Sequence, residues 1–170
     1  TRRVYKRGQF AKAWLANKRG LAYVLGPRLP FEAAVGVPSA DIRAKPRAAQ
    51  RVDPMDASRL TQVLYGERVK VLEAKGEWVR VEVPGQPQPA PGGEWRGYQG
   101  WLRADQLRTP ASPFGPTLVV RAKRLEVRWR DAAGLEETLT LPIGARVAAL
   151  SSSGAVAKVA LLDGRAAEAP

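Results

Sequence analysis

In ERVKVLEAKGEWVRVEV (67–83), apolar and charged residues alternate almost one for one, and this period of two constrains the fold more than any other feature of the chain. Successive side chains of a strand point to opposite faces. Val69 and Val71 therefore share one face, and Arg68 and Lys70 the other. Lys75-Gly76 suits a tight turn, after which Val79, Val81 and Val83 fall on one side and Trp78, Arg80 and Glu82 on the other. The segment reads as a half-buried β-hairpin.

Its surroundings extend the pattern. AAVGVPSADIRAKP (33–46) reads as a short strand followed by a proline-bounded loop, and GYQGWL (97–102) resumes the extended chain. Between them, PGQPQPAPGG (84–93) holds four prolines without amide donors and is predicted to be a long loop interrupting the sheet. RADQL (103–107) suits a single closing helical turn, and RTPASPFGPT (108–117) reads as a linker. Beyond the linker the pattern recurs. ADIRAKP (40–46) is echoed by LEVRWRD (125–131), LTQVLYGERVKVL (60–72) by LTLPIGARVAAL (139–150), and GEWVRVEV (76–83) by GAVAKVALLDG (154–164). Gly66 is answered by Gly144. Such self-similarity implies two copies of one short-stranded unit. The second copy has GRAAEAP where the first continues into GYQGWL, so its last strand is expected to be missing or degraded.

The 170 residues include no histidine and no cysteine. That removes disulfides, thiolate nucleophiles, imidazole bases and the commonest transition-metal ligands together. Paired carboxylates could still hydrolyse a glycosidic bond, but the 16 acids are scattered among 28 bases. The chain is therefore expected to be non-catalytic, with no metal and no cofactor. No apolar run approaches the ~20 residues of a membrane-spanning helix.

The net charge of +12 is uneven. Residues 1–35 carry eight bases against the single acid Glu32, and the remaining chain is nearly balanced. An arm bearing Arg2, Arg3, Lys6, Arg7, Lys12, Lys18 and Arg19 is attracted to phosphates, anionic lipid or an acidic protein face. Within it, Phe10, Trp14 and Lys18 recur at four-residue spacing in GQFAKAWLANKRG (8–20), which predicts a short helix ended by Gly20. Packing on the following sheet is favoured over a membrane-surface role, because the apolar stripe is only two turns long. The chain begins at Thr1 rather than Met, as expected of one that was processed or trimmed.

ADIRAKP, LTQVLYGERVKVLEAKGEWVRVEV (60–83) and EWRGYQGWLRADQL (94–107) together resemble the bacterial Src-homology-3-type (SH3b) domains found in tandem ahead of the catalytic domain of NlpC-type murein peptidases. The likeness covers residues 34–107 well and 117–165 weakly. It implies a mainly β chain with two small SH3-like β-barrels in tandem, the second incomplete or degraded, behind a basic, partly helical N-terminal arm. The corresponding boundaries are 1–33 for the arm, 34–108 for the first barrel, 109–117 for a proline-rich linker and 118–170 for the second barrel. In that family a separate domain with a Cys–His pair cuts murein stems, so the resemblance implies either the front of a longer enzyme or a relative without its catalytic half.

The candidate binding groups are aromatic and cationic. Tyr98 and Trp101 straddle Gly100 in an extended segment, so one can anchor the core while the other meets solvent; core packing is the simpler role for Trp101. Trp78 shares its face with charges, and Tyr65 and Trp95 sit beside loops. Rings stack on sugars and peptides, and Arg96 or Arg103 can hold a carboxylate bidentately. Trp129, between Arg128 and Arg130, suits either a surface cation–π pair or a core position. The expected partners are peptidoglycan fragments in the bacterial cell envelope or periplasm. The alternative is an accessory subunit that docks other proteins on its barrels and uses the arm as a tether. Nucleic-acid binding has the arm's charge in its favour and no recognisable motif.

Overall fold

The computed structural model describes residues 13–16, 22–25, 29–48, 56–109, 117–154 and 156–170. In chain order its strands are β1 (Ala13–Ala16), β2 (Ala22–Leu25), β3 (Phe31–Val35), β4 (Ser39–Arg43), β5 (Arg59–Leu64), β6 (Arg68–Lys75), β7 (Trp78–Pro89), β8 (Trp95–Arg103), β9 (Leu107–Arg108), β10 (Thr117–Val119), β11 (Arg124–Arg130), β12 (Glu136–Pro142), β13 (Arg146–Ser153), β14 (Val156–Ala160) and β15 (Ala166–Ala169). One 3-10 turn, Ala104–Gln106, precedes β9 where RADQL suggested a helical turn.

The alternating segment forms the hairpin its pattern predicts. β6 and β7 pair from Lys70 opposite Glu82 to Lys75 opposite Trp78, leaving Gly76 and Glu77 as the turn. Val69, Val71, Val79, Val81 and Val83 are all at most 1% exposed. Burying each contributes roughly 1.5–3 kcal/mol. With Ile42, Val63 and Leu102 they make one core beneath an antiparallel sheet of order β5-β4-β8-β7-β6-β3-β9.

That order is linear, whereas an SH3-like barrel was expected here, with an incomplete one after it. After Leu64 the chain turns away, and the Tyr65 and Gly66 amides donate to the carbonyls of Pro38 and Val35 instead of extending a ladder. No ladder joins β5 to β9 among the described residues. Gly100 lets β8 pass close over β4: a Cβ there would meet Ile42 Cγ2 and sit 2.9 Å from the Arg43 carbonyl oxygen.

The proline-rich segment is a second correction. β7 does not stop at Val83 but runs to Pro89, pairing Pro87 with Gly97, Gln88 with Arg96 and Pro89 with Trp95 after a bulge. Pro87 and Pro89 are two residues apart, so their missing donors face one side. The even-numbered residues face the partner strand, as shown by the Ala90 amide donating to the Glu94 carbonyl at 2.7 Å. On its other side β7 has lost β6, whose last partner is Glu82. Proline at such an edge sacrifices no ladder hydrogen bond.

The helix expected over 8–20 is also corrected where that segment is described. Ala13–Ala16 is a strand, paired antiparallel with Ala22–Leu25, with Trp14 opposite Val24 and Leu15 opposite Tyr23. A helix of two turns is marginal on its own. The rest of the arm, including Arg2, Arg3, Lys6, Arg7, Lys12, Lys18 and Arg19, lies outside the described residues.

A second sheet has the order β10-β13-β14-β15-β11-β12. Substituting β3 through β8 for β10 through β15 reproduces the order of the first sheet without β9. Even the irregularities correspond: the β6–β7 ladder slips between Val71 and Glu73, and the β13–β14 ladder between Ala149 and Ser151. The strand expected to be missing or degraded is present in shortened form as β15, four residues against the nine of β8. Small alanines in AAEA replace the bulky residues of GYQGWL, which hid the strand from a pattern search. Val127, Leu141, Val147 and Val159 lie in the second core.

Candidate functional site

The outer face of the first sheet collects most of the groups singled out in the sequence. Because β7 and β8 pair in register, Trp78 stands opposite Arg103, and Arg80 opposite Trp101. On its other flank Trp101 stands opposite Arg43 of β4. Residues opposite each other in a ladder point to the same side. Trp101 therefore sits in a row between two arginines, with Trp78 one step diagonally away. All four side-chain positions except Arg43 are half-buried; Arg43 is buried.

This reverses the expected division between Tyr98 and Trp101. Tyr98 packs against the first core, and Trp101 is on the outer face. Parity decides it: Gly100 and Leu102 are buried, so odd-numbered neighbours point outward. Trp95 and Arg96 are brought no closer. They lie at the far end of the β7–β8 extension, Trp95 70% exposed, six residues along the strand from Trp101. That separation is roughly 20 Å at strand spacing.

The arginines differ in what already holds them. Arg103 Nε and Nη2 donate to the two Asp105 oxygens, each at 3.2 Å, and Nη1 to Glu77 at 3.3 Å. These bonds, with Asp105 foremost, raise its pKa further. Its bidentate fork thus faces Asp105 already. Arg80 donates from Nε to Glu73 Oε2 at 3.1 Å on the exposed surface, an interaction worth little in water.

Arg43 belongs to a knot that the sequence pattern did not disclose. Its side chain is 6% exposed and meets Asp56 Oδ2 at 2.7 Å, with Asp41 Oδ2 at 3.7 Å and a short contact to Ser58 Oγ. Ser58 and Arg43 together hold the Asp56 carboxyl well below the usual carboxylate range, its bond from the Ser58 hydroxyl being the largest influence. Asp41 and Arg43 do share a face by period two, but Asp56 and Ser58 come from a loop thirteen or more residues on. Only the folded chain brings them together.

Tyr65 is elsewhere. It is 4% exposed and packs into the second core, beside Leu161 and Val147. The Leu162 amide donates to its hydroxyl at 3.0 Å, and the Arg146 amide to its carbonyl at 2.8 Å. In this structure Tyr65 joins the two sheets. Trp129 also combines the roles weighed for it: it packs against the second core while Arg165, not a sequence neighbour, lies 4.5 Å from its ring centroid.

The family model described as bacterial dipeptidyl-peptidase Sh3 domain matches residues 43–85. The chain carries a bacterial SH3 domain. The match begins at Arg43 and includes Trp78 and Arg80, so it takes in both arginines of the row and ends before Trp101. Two curated relatives, both gamma-D-glutamyl-L-lysine dipeptidyl-peptidases, share this SH3 region. That of Bacillus subtilis is 51% identical over 47 residues, covering 28% of this chain and 15% of the relative. That of Bacillus cereus is 30% identical over 110 residues, 63% of this chain and 32% of the relative. The chain thus spans about a third or less of these relatives. A crystal structure of an NlpC/P60 family protein from Bacillus cereus superposes with a TM-score of 0.66 at 23% identity, over 81% of this chain and 53% of that one. That likeness concerns the fold alone.

Proposed function

We propose that this chain is a non-catalytic recognition module for the bacterial cell wall, two SH3b units in tandem whose first outer face binds peptidoglycan fragments. The observation that carries the reading is the Arg80–Trp101–Arg43 row, an indole between two cations, both of which lie in the segment that matches the bacterial dipeptidyl-peptidase SH3 domain. Indole faces stack on sugar rings and on peptide planes, and neighbouring guanidinium groups meet carboxylates. Buried Arg43 fixes one side of the row, while Arg80 is the cation with exposed surface to give. The bond cleavage named for the relatives needs groups beyond these 170 residues, which hold no histidine or cysteine. The setting proposed is the cell envelope. No helix among the described residues is long and apolar enough to cross a membrane.

Co-sedimentation with purified sacculi tests the reading. The protein is expected in the pellet, and Trp101→Ala should weaken retention about tenfold, the effect of losing roughly 1.4 kcal/mol of stacking. Wild-type protein that stays wholly in the supernatant removes the proposal.

A further inference from the structure

The correspondence between the two sheets extends to the candidate site. In the second sheet Lys158 stands opposite Glu168, and Glu168 opposite Arg128. Strand for strand, Lys158 takes the place of Arg80, Arg128 that of Arg43, and Glu168 that of Trp101. The two flanking cations are kept and the indole between them becomes a carboxylate. A groove of about 330 Å³ opens at this position. It lies among Arg128, Arg130, Glu136, Lys158, Ala166 and Glu168. Its size follows from the substitution: Ala166 and Glu168 are smaller than Gln99 and Trp101, which take the same ladder places in the first sheet.

We infer that this groove is a second binding site, for a short peptide carrying both a free amine and more than one carboxylate. The charges select that class. Arg128 and Arg130 are two residues apart on one face, roughly 7 Å at strand spacing, which suits two separate carboxylates held by two guanidinium groups; Arg128 Nη2 already donates to Glu126 at 3.0 Å, an exposed pair that a ligand carboxylate has to displace. Glu136 faces Arg130 across the β11–β12 ladder, and Glu168 separates Lys158 from Arg128, so each cation has an acid beside it. A phosphate or a nucleic-acid strand meets repulsion from those two acids, whereas an ammonium group is held by them. Trp129 also lines the groove, and Arg165 covers one face of its ring, 4.5 Å from the centroid, which reduces the area open to a neutral sugar. The volume is at the small end for ligand sites and fits a few residues of peptide. This site goes beyond the wall-binding face of the first sheet and does not depend on it.

The test is titration of the whole chain, isotope-labelled, with the synthetic tripeptide Glu-Lys-Glu at low salt, read by amide chemical shifts. Shifts are expected at Arg128, Arg130, Lys158 and Ala166. Binding should weaken about tenfold in Lys158→Gln and in Arg128→Gln, and be lost in Glu168→Trp, which restores the residue type of the first sheet and fills the groove. All three positions point outward, so unchanged shifts elsewhere will show the variants folded. Inorganic phosphate should bind at least tenfold more weakly than the tripeptide. The inference is overturned by absence of shifts up to about 10 mM tripeptide, by shifts confined to other residues, or by equal binding of phosphate. Because these variants leave Trp78 and Trp101 intact, sacculus retention by the first sheet is read separately.

Discussion

At the scale of single residues, the first sheet depends on a buried cation more than its valine-rich pattern suggests. Arg43 sits beside Trp101 with its Nε lacking a hydrogen-bond partner among the described residues, and Asp56 supplies its closest counter-charge. Removing that carboxylate leaves the buried guanidinium only the more distant Asp41, at 3.7 Å. Asp56→Asn is therefore expected to lower stability at neutral pH and to loosen Trp101. The pH dependence has a definite sign. A carboxyl whose folded pKa is depressed adds stability above its unfolded value, about 3.9, and that stability is lost as pH falls below it toward the folded value. Denaturant melts from pH 7 down to about pH 2 should show wild type losing stability below about pH 4 and Asp56→Asn losing less. Parallel curves for the two proteins would contradict the assignment.

Among elements, the β7–β8 extension shows where pattern reading works and where it stops. Alternation over 67–83 revealed the hairpin, its turn and its buried face, because one side of each strand meets a core. The same reasoning treated four prolines as a break. What it lacked was the edge: proline is forbidden only where its amide is needed, and whether a neighbour strand is present is a property of the folded sheet. The same limit hid β15, whose alanines carry little hydrophobic signal, and it misplaced Trp101, since parity along β8 became readable only once Gly100 and Leu102 were seen buried. The Arg43–Asp56 knot and the docking of Tyr65 join distant segments and have no local signature at all. The edge argument is itself testable. Gln88 lies on the side that bonds to β8, opposite Arg96. Gln88→Pro should unpair the tip, speeding hydrogen exchange at Trp95 and Arg96 and costing locally about 1 kcal/mol for the lost ladder bond, whereas exchange at Val79 and Val81 stays slow. Equal protection at the tip in the variant would show that the prolines are not arranged by side.

For the molecule as a whole, the two sheets are joined by a side chain from one seated in the core of the other. Tyr65 leaves the end of β5, crosses into the second core and is capped by the Leu162 amide. Gly66 follows with φ of +76°, and a Cβ there would strike the Arg146 carbonyl, whose carbon it would approach to 2.8 Å. The turn thus requires glycine twice, for its left-handed backbone and for the closeness of the second sheet. Burial also pushes the Tyr65 hydroxyl pKa up, with the Leu162 amide partly opposing. These contacts tie the sheet that bears the Trp101 row to the sheet that bears the second groove. A ladder of variants separates the contributions. Tyr65→Phe keeps the ring and loses one hydrogen bond, about 1 kcal/mol. Tyr65→Ala empties the socket, with an expected loss of about 3–5 kcal/mol, and Gly66→Ala should weaken the junction without touching either core. In calorimetry, wild type is expected to unfold in one transition, and Tyr65→Ala and Gly66→Ala in two, the second sheet melting first because fewer of its side chains are fully buried. A single transition retained in Tyr65→Ala would mean that cooperation between the sheets runs through other contacts.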